Sequence, residues 1–246
     1  TKGDRVAGFL PNFAGSIVAM LATASLGAIW SSCSPDFGEQ GVIDRFGQIE
    51  PKVLFCVDGY FYNGKSHICL SKIKSFTARL PTLKQVVIFD YASSDNNSIN
   101  NSISYQEILD KYEPNKIDFE RVGFDHPLYI MYSSGTTGVP KCIVHGHGGT
   151  LVQHLKEHQL QTNISAGDRV FYFTTCSWMM WNWLVSALGT GATIMLYDGS
   201  PTYPDNIVLW RFADEEQFSH FGTSAKYIET LMKNDVSPNT IFKLNN

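Results

Sequence analysis

A chain of 246 residues with 43% hydrophobic and 13% aromatic content can bury a sizeable core, in one large domain or two small ones. Its formal net charge of -4, without a dense Lys/Arg block interleaved with aromatics, leaves no electrostatic footprint for nucleic acid or an anionic membrane surface. The five cysteines, Cys33, Cys56, Cys69, Cys142 and Cys176, have no C-x-x-C spacing, so reduced, buried thiols in a cytoplasmic (cytosolic) protein are expected.

In chain order, the charged stretch from Lys2 to Arg5 leads straight into a short strand at 6–10, which is not the pattern of a signal peptide. Residues 6–35 carry no charge, yet Pro11, Asn12 and many Gly, Ala, Ser and Thr residues divide them into a strand, a turn and a helix over 15–29. A buried core helix fits that pattern better than a membrane span. Further helices are expected over 42–49, closed by Pro51, and over 66–80, closed by Pro81. The apolar runs 53–57, 86–89, 128–132 and 170–174 are short, rich in β-branched or aromatic residues and not strictly alternating, as in parallel strands covered on both faces. The succession of strands and helices predicts a layered α/β fold of mostly parallel sheets flanked by helices. A first α/β subdomain is placed at 1–160 and the start of a second at 161–246. Residues 93–104, Ser and Asn with a single Asp, cannot bury enough apolar area to order themselves, so a floppy surface insert is expected there.

The run at 128–132 passes directly into Ser133-Ser134-Gly135-Thr136-Thr137-Gly138-Val139-Pro140-Lys141, and 142–145 reads as a returning strand. In such a hairpin the glycines let successive backbone N–H groups face an anion, the hydroxyls add donors, and Lys141 supplies a positive charge. The loop therefore suits a polyphosphate. An ordinary polar hairpin turn is the competing reading, which the flanking Tyr132 and Pro140-Lys141 disfavour. It is not a Walker A loop: Val139-Pro140 separates Gly138 from Lys141, Cys142 follows the lysine, and no helix is expected to start there.

Residues 132–141 resemble the signature loop of the acyl-adenylate-forming (AMP-binding) enzymes, the family of acyl-CoA synthetases, luciferases and peptide-synthetase adenylation domains. The resemblance covers nearly the whole chain. Gly3-Asp4-Arg5-Val6-Ala7, Leu10-Pro11-Asn12, Ala19-Met20-Leu21-Ala22 and Leu26-Gly27-Ala28-Ile29 are similar to the family's opening strand and helix, and Gly189-Thr190-Gly191-Ala192-Thr193 to a later turn into a strand. Four longer stretches, at 29–38, 149–158, 178–183 and 197–201, resemble its acetoacetate-activating branch. Acetyl- and propionyl-CoA synthetases are the alternative within the family.

This resemblance implies an ATP-dependent acid–thiol ligase of fatty acid metabolism, with acetoacetate, ATP and coenzyme A as substrates and Mg²⁺ beside the nucleotide. It implies that Ser133, Ser134, Gly135, Thr136, Thr137, Gly138 and Lys141 hold the ATP phosphates, with Thr136, Thr137 and Lys141 acting in the chemical step. Trp178, beside Met179 and Met180, would wall the acyl pocket. Trp181 and Trp183 depart from the smaller, more polar residues of acetyl-CoA synthetases, and helix packing is their other reading. Lys65 would meet a phosphate of coenzyme A, or be a solvated lysine in a turn. The family's adenine-binding segment, Mg²⁺-linked glutamate, ribose-binding aspartate and C-terminal catalytic lysine are expected beyond Asn246. A fragment that is inactive alone, or that only binds nucleotide, is therefore expected.

Two histidine features stand apart. His154-Leu155-Lys156-Glu157-His158 fits the H-x-x-E-H pattern of a zinc hydrolase, with His154 and His158 on one helix face. A third ligand would be needed, and with Gly148-Gly149-Thr150 read as a loop and N-cap, the pair is placed on a solvated helix flank with no metal assigned. His145 is read either as a neighbour of nucleotide or acyl group or as a buried, hydrogen-bonded histidine.

Overall fold

The computed structural model describes residues 1–92, 99–133 and 138–244. The chain divides into two compact units, Thr1–Tyr60 with Ser66–Thr150, and Phe61–Lys65 with Leu151–Asn246. The division thus falls at Thr150–Leu151, where the sequence pattern placed it near 160.

The first unit begins with strand β1 (Arg5–Phe9), helix α1 (Ala14–Ser25), strand β2 (Ile29–Cys33), helix α2 (Glu39–Ile49) and strand β3 (Val53–Val57). β1 lies between β2 and β3, parallel to both. α1 stops short of the expected 15–29 because Gly27 takes φ +64. The Gly27 N–H then bonds the Ala24 carbonyl at 3.0 Å and the Ala28 N–H bonds that of Thr23 at 3.1 Å, a Schellman closure. That closure frees Ile29 to start β2, whose five residues are all buried. α2 ends at Glu50 in the left-handed region (φ 49), and Pro51 cannot continue it.

Two hairpin strands follow, β4 (Gly59–Tyr62) and β5 (Lys65–Ile68), where the helix over 66–80 was expected to begin. Asn63 (φ 53) and Gly64 (φ +74) both have the positive φ of a type I′ turn, so the Asn-Gly pair overrides the helical pattern around it. Helix α3 is confined to Leu70–Thr77. Strand β6 (Gln85–Phe89) pairs parallel with β3, and strand β7 (Ser102–Ser104) pairs parallel with β6.

β7 corrects the expectation of a floppy insert over its second half, while residues 93–98 lie outside the described residues. Ile99 is buried in the main core, and Ser104 caps helix α4 (Tyr105–Lys111). Its hydroxyl accepts the Glu107 N–H at 3.0 Å and the Glu107 carboxylate accepts the Ser104 N–H at 2.7 Å, a reciprocal capping box. Composition hid this because one buried isoleucine and one cap suffice to order a polar stretch.

Strands β8 (Pro127–Tyr132) and β9 (Cys142–Gly146) complete a seven-stranded sheet in the order β7-β6-β3-β1-β2-β8-β9. Every pair is parallel except β8–β9, so β8 delivers Ser133 to the sheet edge at which β1 and β2 also end. In open sheets of this kind, ligands lie outside the carboxyl ends of the strands. Phe9, Phe46, Leu54, Ile73 and Phe76 fill the core between this sheet and α2 and α3, each burial contributing about 1.5–3 kcal/mol. On β1 only a glycine fits at Gly8, because a Cβ there would lie 2.5 Å from the Trp30 ring.

Helix α5 (His147–Lys156) carries the division between units and continues as a π-helical turn, Glu157–Gln161. Gly148 and Gly149 lie inside α5 rather than in a preceding loop; a Cβ on Gly148 would meet the Phe124 ring at 2.1 Å, so glycine here serves close packing. The second unit then holds strand β10 (Arg169–Tyr172), helix α6 (Met179–Ser186), strand β11 (Thr193–Met195), helix α7 (Val208–Glu215), strand β12 (His220–Gly222) and helix α8 (Ala225–Lys233). β10 is the centre of a parallel three-stranded sheet, with β11 and β12 on either side. Phe171, Leu209, Phe218, Tyr227 and Leu231 form its core. Four cysteines are buried and free, but Cys142 is exposed, against the expectation of uniformly buried thiols. Among the described residues no helix is long and apolar enough to cross a membrane.

Candidate nucleotide-phosphate site

The loop proposed to hold phosphates grows out of the β8–β9 hairpin, whose last ladder pair is Tyr132 opposite Cys142. Just beyond it the Ser133 N–H donates to the Lys141 carbonyl at 3.0 Å, and the Lys141 N–H donates to Ser133 Oγ at 3.0 Å. Ser133 thereby closes the loop with its backbone donor and one hydroxyl lone pair. Among the described residues no acceptor takes the Ser133 hydroxyl proton. Gly138 has φ +124 and nothing within 4 Å of a Cβ built on it, so backbone conformation rather than crowding demands glycine. Lys141 is exposed. Ser134, Gly135, Thr136 and Thr137 lie outside the described residues.

The base of the loop is stiff. Ser31 Oγ donates to the Ile130 carbonyl at 2.8 Å and lies 2.9 Å from the Tyr132 hydroxyl, tying β2 to β8 across the parallel pair. Burial pushes the Tyr132 pKa well up, with Ser31 opposing, so this phenol stays protonated. From α2, Arg45 lies 4.6 Å from the Phe37 ring centroid and 5.7 Å from that of Tyr132. On β9, His145 is half-buried with its ring 5.0 Å from that of Tyr129, and burial lowers its pKa, favouring the neutral imidazole.

In the second unit Trp178 directly precedes α6 as its N-cap and is 65% exposed, with Met179 and Met180 half-buried behind it. Trp181 is fully buried, and Trp183 packs with its ring 4.3 Å from His158 and 6.1 Å from Tyr172, so these two take the helix-packing reading. Lys65 is exposed at the β4–β5 turn, next to Gly64, where any Cβ would lie 2.3 Å from the Tyr203 ring.

His154 and His158 are not on a solvated flank. Both are buried, His158 completely. His154 Nδ1 and His158 Nε2 each lie 2.8 Å from Ser186 Oγ, which donates its own proton to the Trp183 carbonyl at 2.7 Å. A hydroxyl with its proton committed can only accept, so both ring nitrogens carry hydrogen and the tautomers are fixed. The H-x-x-E-H spacing is thus accounted for by a serine on α6. Among the described residues no group of three or more His, Cys, Asp or Glu could hold a metal ion. Nothing local in the sequence marks Ser186, which is 28 residues from His158.

A hairpin whose loop carries Ser133, Gly138 and Lys141 thus stands at the carboxyl edge of a mostly parallel sheet in an α/β protein. The AMP-binding enzyme family model matches residues 1–243, and the chain belongs to the AMP-binding enzyme family. It is 54% identical over 241 residues to acetoacetyl-coenzyme A synthetase of Rhizobium meliloti (strain 1021), a match covering 96% of this chain and 36% of that protein. It is 51% identical over 243 residues to acetoacetyl-CoA synthetase of Gallus gallus, with the same two coverages. A malonamoyl-CoA synthetase of Penicillium aethiopicum is 44% identical over 256 residues, covering 97% of this chain and 35% of that protein. Acetoacetyl-CoA synthetase from Streptomyces lividans has a similar structure, with a TM-score of 0.94 and 45% identity over 99% of this chain and 37% of that one. The chain therefore spans little more than a third of the length of these relatives.

Proposed function

We propose that these residues form the phosphate-handling part of an ATP-dependent acid–thiol ligase whose acid is acetoacetate. The observation that carries the reading is the closed hairpin at Ser133–Lys141, bearing an exposed lysine. In the first step, a carboxylate oxygen attacks the α-phosphorus of ATP, and the bond to the β-phosphate bridging oxygen breaks to release pyrophosphate. In the second step, the thiol of coenzyme A gives up its proton to solvent, its sulfur attacks the acyl carbon, and AMP leaves with the electron pair of the carbon–oxygen bond.

Charge accumulates on the departing pyrophosphate, and Lys141 with the Ser133, Ser134, Thr136 and Thr137 hydroxyls would stabilise it, Gly135 and Gly138 letting the backbone approach. Trp178, Met179 and Met180 would wall the acyl pocket, and Lys65 would meet a coenzyme A phosphate. Mg²⁺ is expected with the nucleotide; the described residues hold no cluster of protein ligands for it, and no step is drawn through it. A cytosolic setting fits the free cysteines. A polypeptide limited to residues 1–246 is expected to be inactive, its relatives being almost three times as long.

Acetoacetate and malonamate share a carbonyl at the β-carbon, so a short β-carbonyl acid is the substrate class that the relatives' names support. Acid-dependent exchange of labelled pyrophosphate into ATP, run on the full-length ligase containing this sequence, tests it. Exchange with acetoacetate well above that with malonamate, acetate or propionate is expected. Preference for malonamate would move the assignment within the class, and preference for acetate or a long fatty acid would sink it.

A further inference from the structure

We infer that helix α2 braces the phosphate loop, with Gln48 and Arg45 as positioning residues for Lys141. The two side chains are three residues apart, on one face of the helix. Gln48 Nε2 donates to the Pro140 carbonyl at 2.7 Å, its second proton going to the Asp44 carbonyl. Pro140 is buried although its neighbours Val139 and Lys141 are exposed.

The Pro140 carbonyl and the Lys141 N–H belong to one planar peptide group. Its oxygen is held by Gln48, and its N–H is held by Ser133 Oγ at 3.0 Å. A rigid plane gripped at opposite edges has little freedom left to rotate, and the Lys141 Cα is bonded to it. The Lys141 carbonyl, on the next peptide, is fixed in turn by the Ser133 N–H at 3.0 Å. Arg45 meanwhile lies over the ring of Tyr132, the residue that enters the loop. One helix face thus grips both arms of the hairpin, Tyr132 on the way in and Pro140 on the way out.

The lysine's backbone is consequently set before any nucleotide arrives, and its long side chain is what remains to be ordered. Pre-organisation of this kind strengthens binding and transition-state contacts by reducing what must be ordered later. Gln48 touches no reacting atom, so its effect must pass through Lys141.

The inference rests on the ligase reading, and the test separates the two. In the full-length ligase, Gln48→Leu removes the donor, and Gln48→Glu sets a carboxylate against two carbonyl oxygens. Both are expected to lower kcat/KM for ATP in the pyrophosphate exchange about three- to tenfold, the worth of roughly one hydrogen bond, with KM for the acid unchanged. Gln48→Lys, which restores a donor, is expected to recover most of the loss. In a Lys141→Ala background the Gln48→Leu effect is expected to vanish, because the residue acts through the lysine. Full additivity of the two substitutions, or an equal loss for Gln48→Lys, would overturn the brace while leaving the ligase intact. An unaltered enzyme that shows no acid-dependent exchange with any acid would instead sink the ligase reading and the brace with it.

Discussion

The phosphate-loop hairpin of the first unit and the α5–α6 corner of the second carry the same kinds of side chain and resolve them in opposite ways. At the hairpin, hydrogen bonds close the loop's two ends upon each other and leave Lys141 exposed. At the corner, one serine hydroxyl pairs with one ring nitrogen of each of two buried histidines and is itself satisfied by a carbonyl, while His158 Nδ1 has no hydrogen-bond partner among the described residues. The difference teaches how a short polar motif is to be judged. A motif whose polar atoms are committed to one another is architecture, and one whose charge is left facing solvent is available for chemistry.

Removing the exposed lysine is the sharpest way to break that contrast. Lys141→Ala in the full-length ligase is expected to slow pyrophosphate exchange about 100- to 1,000-fold, the range seen for loss of one pre-aimed donor. The thermal midpoint should hardly move, since the side chain is exposed. An unchanged exchange rate would mean that the hairpin is only a turn.

The converse holds at the corner. Ser186→Ala would leave two buried N–H groups without their acceptor, each costing about 1–3 kcal/mol, so an overall loss of roughly 3 kcal/mol is expected. Urea denaturation measures it. A stability equal to that of the unaltered protein would show that His154 and His158 have another partner, and would reopen the metal reading.

The fold was most legible where strands are buried on both faces. The run at 53–57 became β3 without revision, because a short apolar block bounded by Pro51 and Asp58 has few other uses. It was least legible where turn chemistry outranks periodicity: Gly27 ended α1 and exposed β2, and Asn63-Gly64 made a hairpin out of a helical pattern. Strand β12, three residues long, is too short to leave a pattern, and the equally short β11 was signalled only by the family-like turn at 189–193. Around the candidate site, the β8–β9 hairpin was legible in the sequence, whereas Gln48 and Ser186 owe their contacts to partners 92 and 28–32 residues away. Contacts across such separations exist only once the sheet and helices are packed, so no local spacing encodes them.

A smaller effect depends on pH and is shared by the two regions. Burial lowers the pKa of His158 below the usual 6.5, and Trp183 and Glu157 oppose that only in part. The unfolded chain therefore takes up a proton at a pH where the folded protein does not, and stability is complete above about 6.5 and declines as pH falls through the lowered value. His145 and His147 shift the same way for the same reason, so they add to the slope. Replacing His158 by Gln should flatten the decline in urea midpoint between pH 7.5 and 5.5. A slope unaffected by that change would place the titration on the other two histidines.

The smallest expected effect concerns access rather than energy. Cys142 begins β9 directly after Lys141 and is exposed, whereas the other four of the five cysteines are buried. Burial pushes Cys33 up to about 12 and Cys69 up to about 11, so neither supplies thiolate near neutral pH. Cys142 is also raised by partial burial, which makes it a slow thiol but an accessible one. A disulfide reagent at pH 8 should therefore modify one thiol in the folded chain and all five after denaturation, and Cys142→Ser should abolish the first phase. Because the labelled sulfur adjoins the lysine proposed to meet phosphate, ATP should slow that phase in the full-length ligase while leaving the denatured count unchanged. Labelling that ignores ATP would argue that nucleotide phosphates do not settle against this end of the loop, and would weaken the contrast between an available hairpin and a corner built around Ser186.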